Sequence, residues 1–81
     1  MIKVLSSNVS DGLMPAEKIA HIEVSGGEIE EVSVSVDDIS PDNKLMAYEI
    51  GRQGERVLVE LPRESASGRW RVWVNAAAIG A

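Results

Sequence analysis

The chain has no cysteine, no threonine and no phenylalanine, and it holds only three aromatic residues, three prolines and one histidine. Without cysteine there is no disulfide framework and no thiolate metal ligand. With one histidine, a zinc site would rest on His21 and carboxylates alone, and a Cys–His nucleophilic pair is excluded. No apolar run approaches the roughly 18 residues that cross a bilayer. The segment Met1-Ile2-Lys3-Val4-Leu5-Ser6 lacks the basic region, apolar core and cleavage site of a secretory signal. No membrane contact and a cytoplasmic chain are therefore the expectation. No repeat, low-complexity segment or linker interrupts the 81 residues, so one small β domain over 1–81 is expected. A chain of this size holds together by hydrophobic burial alone or by pairing with another chain.

What is present favours strands. Ten valines and seven isoleucines lie in a chain that is 44% hydrophobic, and β-branched side chains suit a pleated surface. The C-terminal half reads as a three-stranded meander. Lys44–Ile50 runs through Gly51-Arg52-Gln53-Gly54 into Glu55–Leu61, a hairpin with Ile50 set opposite Glu55. That register pairs Tyr48 with Val57, Met46 with Val59 and Glu49 with Arg56. After the polar turn Pro62–Gly68, Arg69–Val74 alternates strictly, and Leu61 opposite Trp70 pairs Val59 with Val72 and Leu58 with Trp73. The expected apolar face is Met46, Tyr48, Ile50, Val57, Val59, Leu61, Trp70, Val72 and Val74. A one-residue slip would turn that set outward.

In the N-terminal half, Ile19–Val24 and Glu28–Val36 form a hairpin about Ser25-Gly26-Gly27. Pairing Val24 with Ile29 leaves Ile22 opposite Glu31, so a β-bulge at Glu30-Glu31 is expected, restoring Ile22–Val32 and Ala20–Val34. Ile2–Leu5 reads as an edge strand and Ser6–Pro15 as a loop. Ser40-Pro41 followed by Gly51 supplies the signals of a short helix over 41–50. The alternation there favours a strand, with one helical turn near 41–44. The tail 75–81, small and apolar, either frays or docks as a short strand or turn. The expected fold is all-β, with five or six short antiparallel strands in a small barrel or compact sandwich.

Charge divides the chain. Residues 1–50 carry ten acids against three lysines, whereas residues 51–81 carry five arginines against three glutamates. The second face of the meander gathers Arg56, Leu58, Arg69, Arg71 and Trp73, with Arg52 in the flanking turn. Trp and Arg are enriched where interfaces concentrate binding energy, and they also stack on bases and contact phosphates. Glu28, Glu30, Glu31, Asp37 and Asp38 form a candidate acidic surface on the other hairpin. Asp37–Asn43 gathers oxygen ligands, but these are also ordinary turn residues and lack an EF-hand's spacing. Nothing marks a nucleophile elbow or a phosphate loop. The expectation is a non-catalytic module or structural subunit without cofactor or metal. Its partner is another protein or a second copy, through the Arg/Trp face or the acidic hairpin. The alternative is nucleic-acid binding through the Arg/Trp face, which the net charge of −5 opposes.

Overall fold

Valine fills the interior. Among the described residues, eight of the thirteen buried apolar side chains are valine, and they gather in one cluster with Ile22, Leu45 and Leu61 as its largest other members. The computed structural model describes residues 1–80. It contains seven strands and no α-helix: β1 (Ile2–Asp11), β2 (Glu17–Glu23), β3 (Ile29–Ser35), β4 (Lys44–Gln53), β5 (Arg56–Glu60), β6 (Arg71–Asn75) and β7 (Ile79–Gly80). They pair antiparallel in the order β3-β2-β1-β4-β5-β6, with β7 on β1, and the sheet curls into a half-barrel around the core.

The first strand differs most from expectation. It is a ten-residue central strand, not a short edge strand with a loop behind it. Ile2–Leu5 pairs with β4, and Ser6–Asp11 pairs with β2. The ladder shifts between Ser6 and Asn8, leaving Ser7 as an extra residue, and such a bulge bends and twists its strand. Ser6-Ser7-Asn8-Val9-Ser10 looks like a loop because Val9 is its only large apolar residue. Its place in the sheet comes from the β2 ladder and not from its own propensity. The tail docks on the edge of β1 away from β4, where Lys3 and Val4 meet Gly80 and Ile79.

The β5–β6 register is the expected one, with Val59 opposite Val72 and Leu58 opposite Trp73. Val57, Val59, Leu61, Val72 and Val74 are all buried, but Trp70 stands at the rim, half exposed. The β4–β5 register is not as expected. The loop has two residues, with Gln53 opposite Arg56, and Gly54 at φ +60° takes the first position that a type II′ turn reserves for glycine. Gly51 belongs instead to β4, beside a second bulge between Glu49 and Gly51 that leaves Ile50 over. Leu45 and Ala47, opposite Val4 and Ile2, therefore enter the core, while Tyr48 and Ile50 are exposed and Met46 is half-buried.

The bulge expected at Glu30-Glu31 is absent. Val24 accepts Gly27 N–H and donates to Glu28, which makes a three-residue loop with Gly26 and Gly27 both at positive φ. Regular pairing then sets Ile22 opposite Glu30 and Ala20 opposite Val32, so a carboxylate faces inward. Residues 41–43 form a turn before β4, and the 3₁₀ turn lies earlier, at Val36–Asp38. There Ser35 and Asp38 cap each other reciprocally, the Ser35 hydroxyl accepting from Asp37 N–H and the Asp38 carboxylate from Ser35 N–H.

Leu45→Ala is expected to lower the unfolding free energy by about 2–5 kcal/mol in urea denaturation. Ile50→Ala, at an exposed position, is expected to change it by less than about 0.5 kcal/mol. The opposite ranking would support the register read from alternation.

Candidate functional site

With Val57, Val59, Val72 and Val74 inside, alternation turns Arg56, Leu58, Glu60, Arg71 and Trp73 outward on β5 and β6. The ladders arrange this outer face in three rows: Tyr48–Glu60–Arg71, Gly51–Leu58–Trp73 and Gln53–Arg56–Asn75. Trp73 is half-buried, and the Arg56 guanidinium carbon lies 5.1 Å from its ring centroid. Such a contact contributes about 0.5–1 kcal/mol at an exposed site. Arg56 also donates to Gln53 Oε1 at 3.2 Å, and Arg71 Nε reaches Glu60 Oε2 at 3.1 Å. Both arginines thus have a polar partner on the sheet. Gly51 places no side chain opposite Leu58, and a Cβ there would meet nothing within 4 Å.

Four of the six residues expected on this face are brought together: Trp73, Arg71, Arg56 and Leu58. Arg52 is not with them. It sits opposite the core residue Val57, hence on the other side of the sheet, and grips Glu49 through two 3.1 Å bonds. Arg69 is not with them either, because its Nη1 turns to Glu30 Oε2 on β3 at 3.6 Å. Tyr48 and Gly51 join the face instead. The strand run displayed both residues, but the bulge that places them has no local sequence signal.

The acidic candidates do not form one surface. Glu30 is only 5% exposed. Its Oε1 accepts from Ser67 Oγ at 2.7 Å, and that bond holds the carboxyl below its ordinary range against the upward push of burial. Ser65 and Arg69 assist in the same direction. Ala66 N–H meanwhile donates to Glu31 C=O, so the 62–70 loop is fastened to the edge of β3 by backbone and side chain together. Glu28 and the pair Asp37-Asp38 lie beyond opposite ends of β3, a strand roughly 20 Å long. Glu31 faces outward with its Oε2 at 3.7 Å from His21 Nε2.

His21 has no second carboxylate in its salt-bridge geometry, and its buried Nδ1 has no hydrogen-bond partner among the described residues. Asp42, in the oxygen-rich loop, is engaged by the chain's own cations: Lys44 Nζ at 3.2 Å and Lys3 Nζ at 3.6 Å. The Ser40 hydroxyl, first, and Lys44 hold its carboxyl down at about 2. Among the described residues no three His, Asp or Glu side chains cluster as a metal would need. No helix among them is long and apolar enough to cross a membrane. Comparison with known families, curated proteins and solved structures finds no match.

Glu30→Ala is expected to cost about 1–3 kcal/mol in chemical denaturation, the range for losing a buried hydrogen-bonded group. It should also speed amide exchange at Ala66, whereas unchanged exchange there would detach the loop from the carboxylate. Asp42 gives a pH dependence. Its folded pKa lies below the ordinary 3.8, so its contribution is present above that value and is lost as pH falls through about 2. Thermal melts from pH 5 to pH 2 should therefore show a Tm decline that is shallower in Asp42→Asn. Superimposable profiles would contradict the hold of Ser40 and Lys44 on this carboxyl.

Proposed function

We propose that this chain is a non-catalytic interaction module that binds another protein through the outer face of β4, β5 and β6. One observation carries the reading: Trp73 lies outside the core and is partly accessible, with the Arg56 guanidinium over its ring and half-buried Leu58 beside it. A rigid sheet presents these groups in fixed poses, so little side-chain entropy remains to be lost on binding. Aromatic and arginine anchors of this kind concentrate binding energy when a partner excludes water from them. The acidic hairpin is the weaker surface, because Glu30 is withdrawn into the core and the remaining acids are dispersed. Nucleic acid is disfavoured for a related reason. Of the five arginines, Arg52, Arg69 and Arg71 are paired with glutamates, leaving few cations to displace counterions.

The test places a photo-crosslinking phenylalanine derivative at Tyr48 in cells that make the chain. A dominant protein adduct is expected, lost in Trp73→Ala and in Arg71→Glu while both variants keep the parent far-UV circular dichroism. An adduct indifferent to both substitutions would overturn the reading. Adducts made chiefly with RNA or DNA would replace it with the nucleic-acid alternative.

A further inference from the structure

Where the curled sheet meets the C-terminal segment there is a cleft of about 250 Å³, lined by Leu5, Ser7, Glu23, Asn75, Ala77 and Ala78. It shares Asn75 with the edge of the Trp73 face but involves neither Leu58 nor any arginine. Three features of the fold build it. The bulge in β1 makes Ser7 the extra residue between Ser6 and Asn8. The bond from Ser25 N–H to Trp73 C=O, 2.7 Å, draws the end of β2 against β6 and so sets Glu23 near Asn75. The 3₁₀ turn Ala76–Ala78 then contributes Ala77 and Ala78, whose side chains are single methyl groups.

Leu5 is 54% exposed at this cleft, an uncovered apolar surface next to polar groups. Glu23 is the one charged residue among the six, and no lysine or arginine of the described chain forms an ion pair with it. Ser7 Oγ donates to His21 C=O at 3.1 Å, which orients the hydroxyl and leaves its lone pairs free to accept. The Asn75 side chain caps nothing in the turn it precedes. The cleft thus brings one unpaired carboxylate residue together with a hydroxyl and an amide residue beside a short apolar wall. The volume falls below the roughly 300–1,000 Å³ of pockets for drug-sized ligands, so the occupant is the size of a side chain.

We infer that this cleft binds a primary alkylammonium group, its cation on Glu23, Ser7 and Asn75 and its methylene stem on Leu5, Ala77 and Ala78. An ammonium has three donors and no acceptor, which suits a lining whose one charge is the Glu23 carboxylate and whose hydroxyl and amide each offer an accepting oxygen. A carboxylate or phosphate would meet Glu23 and be repelled. The same chemistry comes from two sources, the lysine side chain of a protein or a free aliphatic amine.

The test is an amide proton–nitrogen NMR titration of the whole chain with n-butylammonium, with 1-butanol and butyrate as controls. Saturable shifts are expected at Leu5, Ser7, Glu23, Ala77 and Ala78. Affinity should fall at least roughly tenfold in Glu23→Gln, the scale of one charged hydrogen bond, and binding should vanish in Ala77→Leu, which fills the cleft. Shifts confined to other residues, equal affinity for butanol, or an undiminished response in Glu23→Gln would overturn the inference. Two further arms separate the sources. Tighter binding of Nα-acetyl-lysine methylamide than of cadaverine identifies a protein lysine, and the reverse order identifies a free amine.

Discussion

The structure depends on one strand that changes partner halfway along its length. β1 bonds to β4 through Ile2–Leu5 and to β2 through Ser6–Asp11, and the bulge at Ser7 lets it turn between the two. A sheet with a single apolar layer must cover that layer with itself, because the described residues include no α-helix to do so. Bending β1 swings the N-terminal hairpin over the meander, so that Val32 and Val34 on one side and Val57 and Val59 on the other share one cluster. Valine suits such a core. Its branched side chain has few rotamers to lose and fills the narrow space between curled strands.

A curled sheet that does not close leaves two edges, and open edges invite pairing with other chains. Here both are partly blunted by side connections. The 62–70 loop donates from Ala66 to Glu31 on β3, and Ser25 donates to Trp73 on β6. Glu30 takes part in the first of these, since its buried carboxylate receives Ser67 and faces Arg69. A buried charge is costly unless it is paired and hydrogen-bonded, and this one is both. The same contact removes Arg69 from the outer face, so one local choice shapes the core and thins the surface charge together.

The all-β class and the β5–β6 ladder were legible in the sequence because strict alternation in Arg69–Val74 matches Glu55–Leu61 across a polar turn. That ladder alone turns Arg56, Leu58, Arg71 and Trp73 outward. Elsewhere the signal was divided. Leu45-Met46-Ala47-Tyr48 places apolar residues on both sides of a strand, so periodicity cannot choose a face. The choice fell to Gly54, whose positive φ shortens the turn to two residues and moves Gly51 into the strand. At Glu30-Glu31 the expectation assumed that no carboxylate would face the core, and the partners that make it tolerable, Ser67 and Arg69, are 37 and 39 positions away. Such long-range compensation leaves no trace in local pattern. The bulge at Ser7 and the cleft it helps to form were invisible for the same reason.

The composition of the proposed binding face is set by the β4–β5 register. It decides whether Tyr48 and Gly51 share a face with Trp73 or belong to the core. In this register Arg52 and Val57 oppose each other as a non-hydrogen-bonded pair, the closer of the two antiparallel spacings, with Cα atoms about 4.5 Å apart. A two-dimensional nuclear Overhauser spectrum reports that contact directly. A strong Hα–Hα cross-peak between Arg52 and Val57 is the expected result, and a cross-peak from Tyr48 to Val57 in its place would contradict the account.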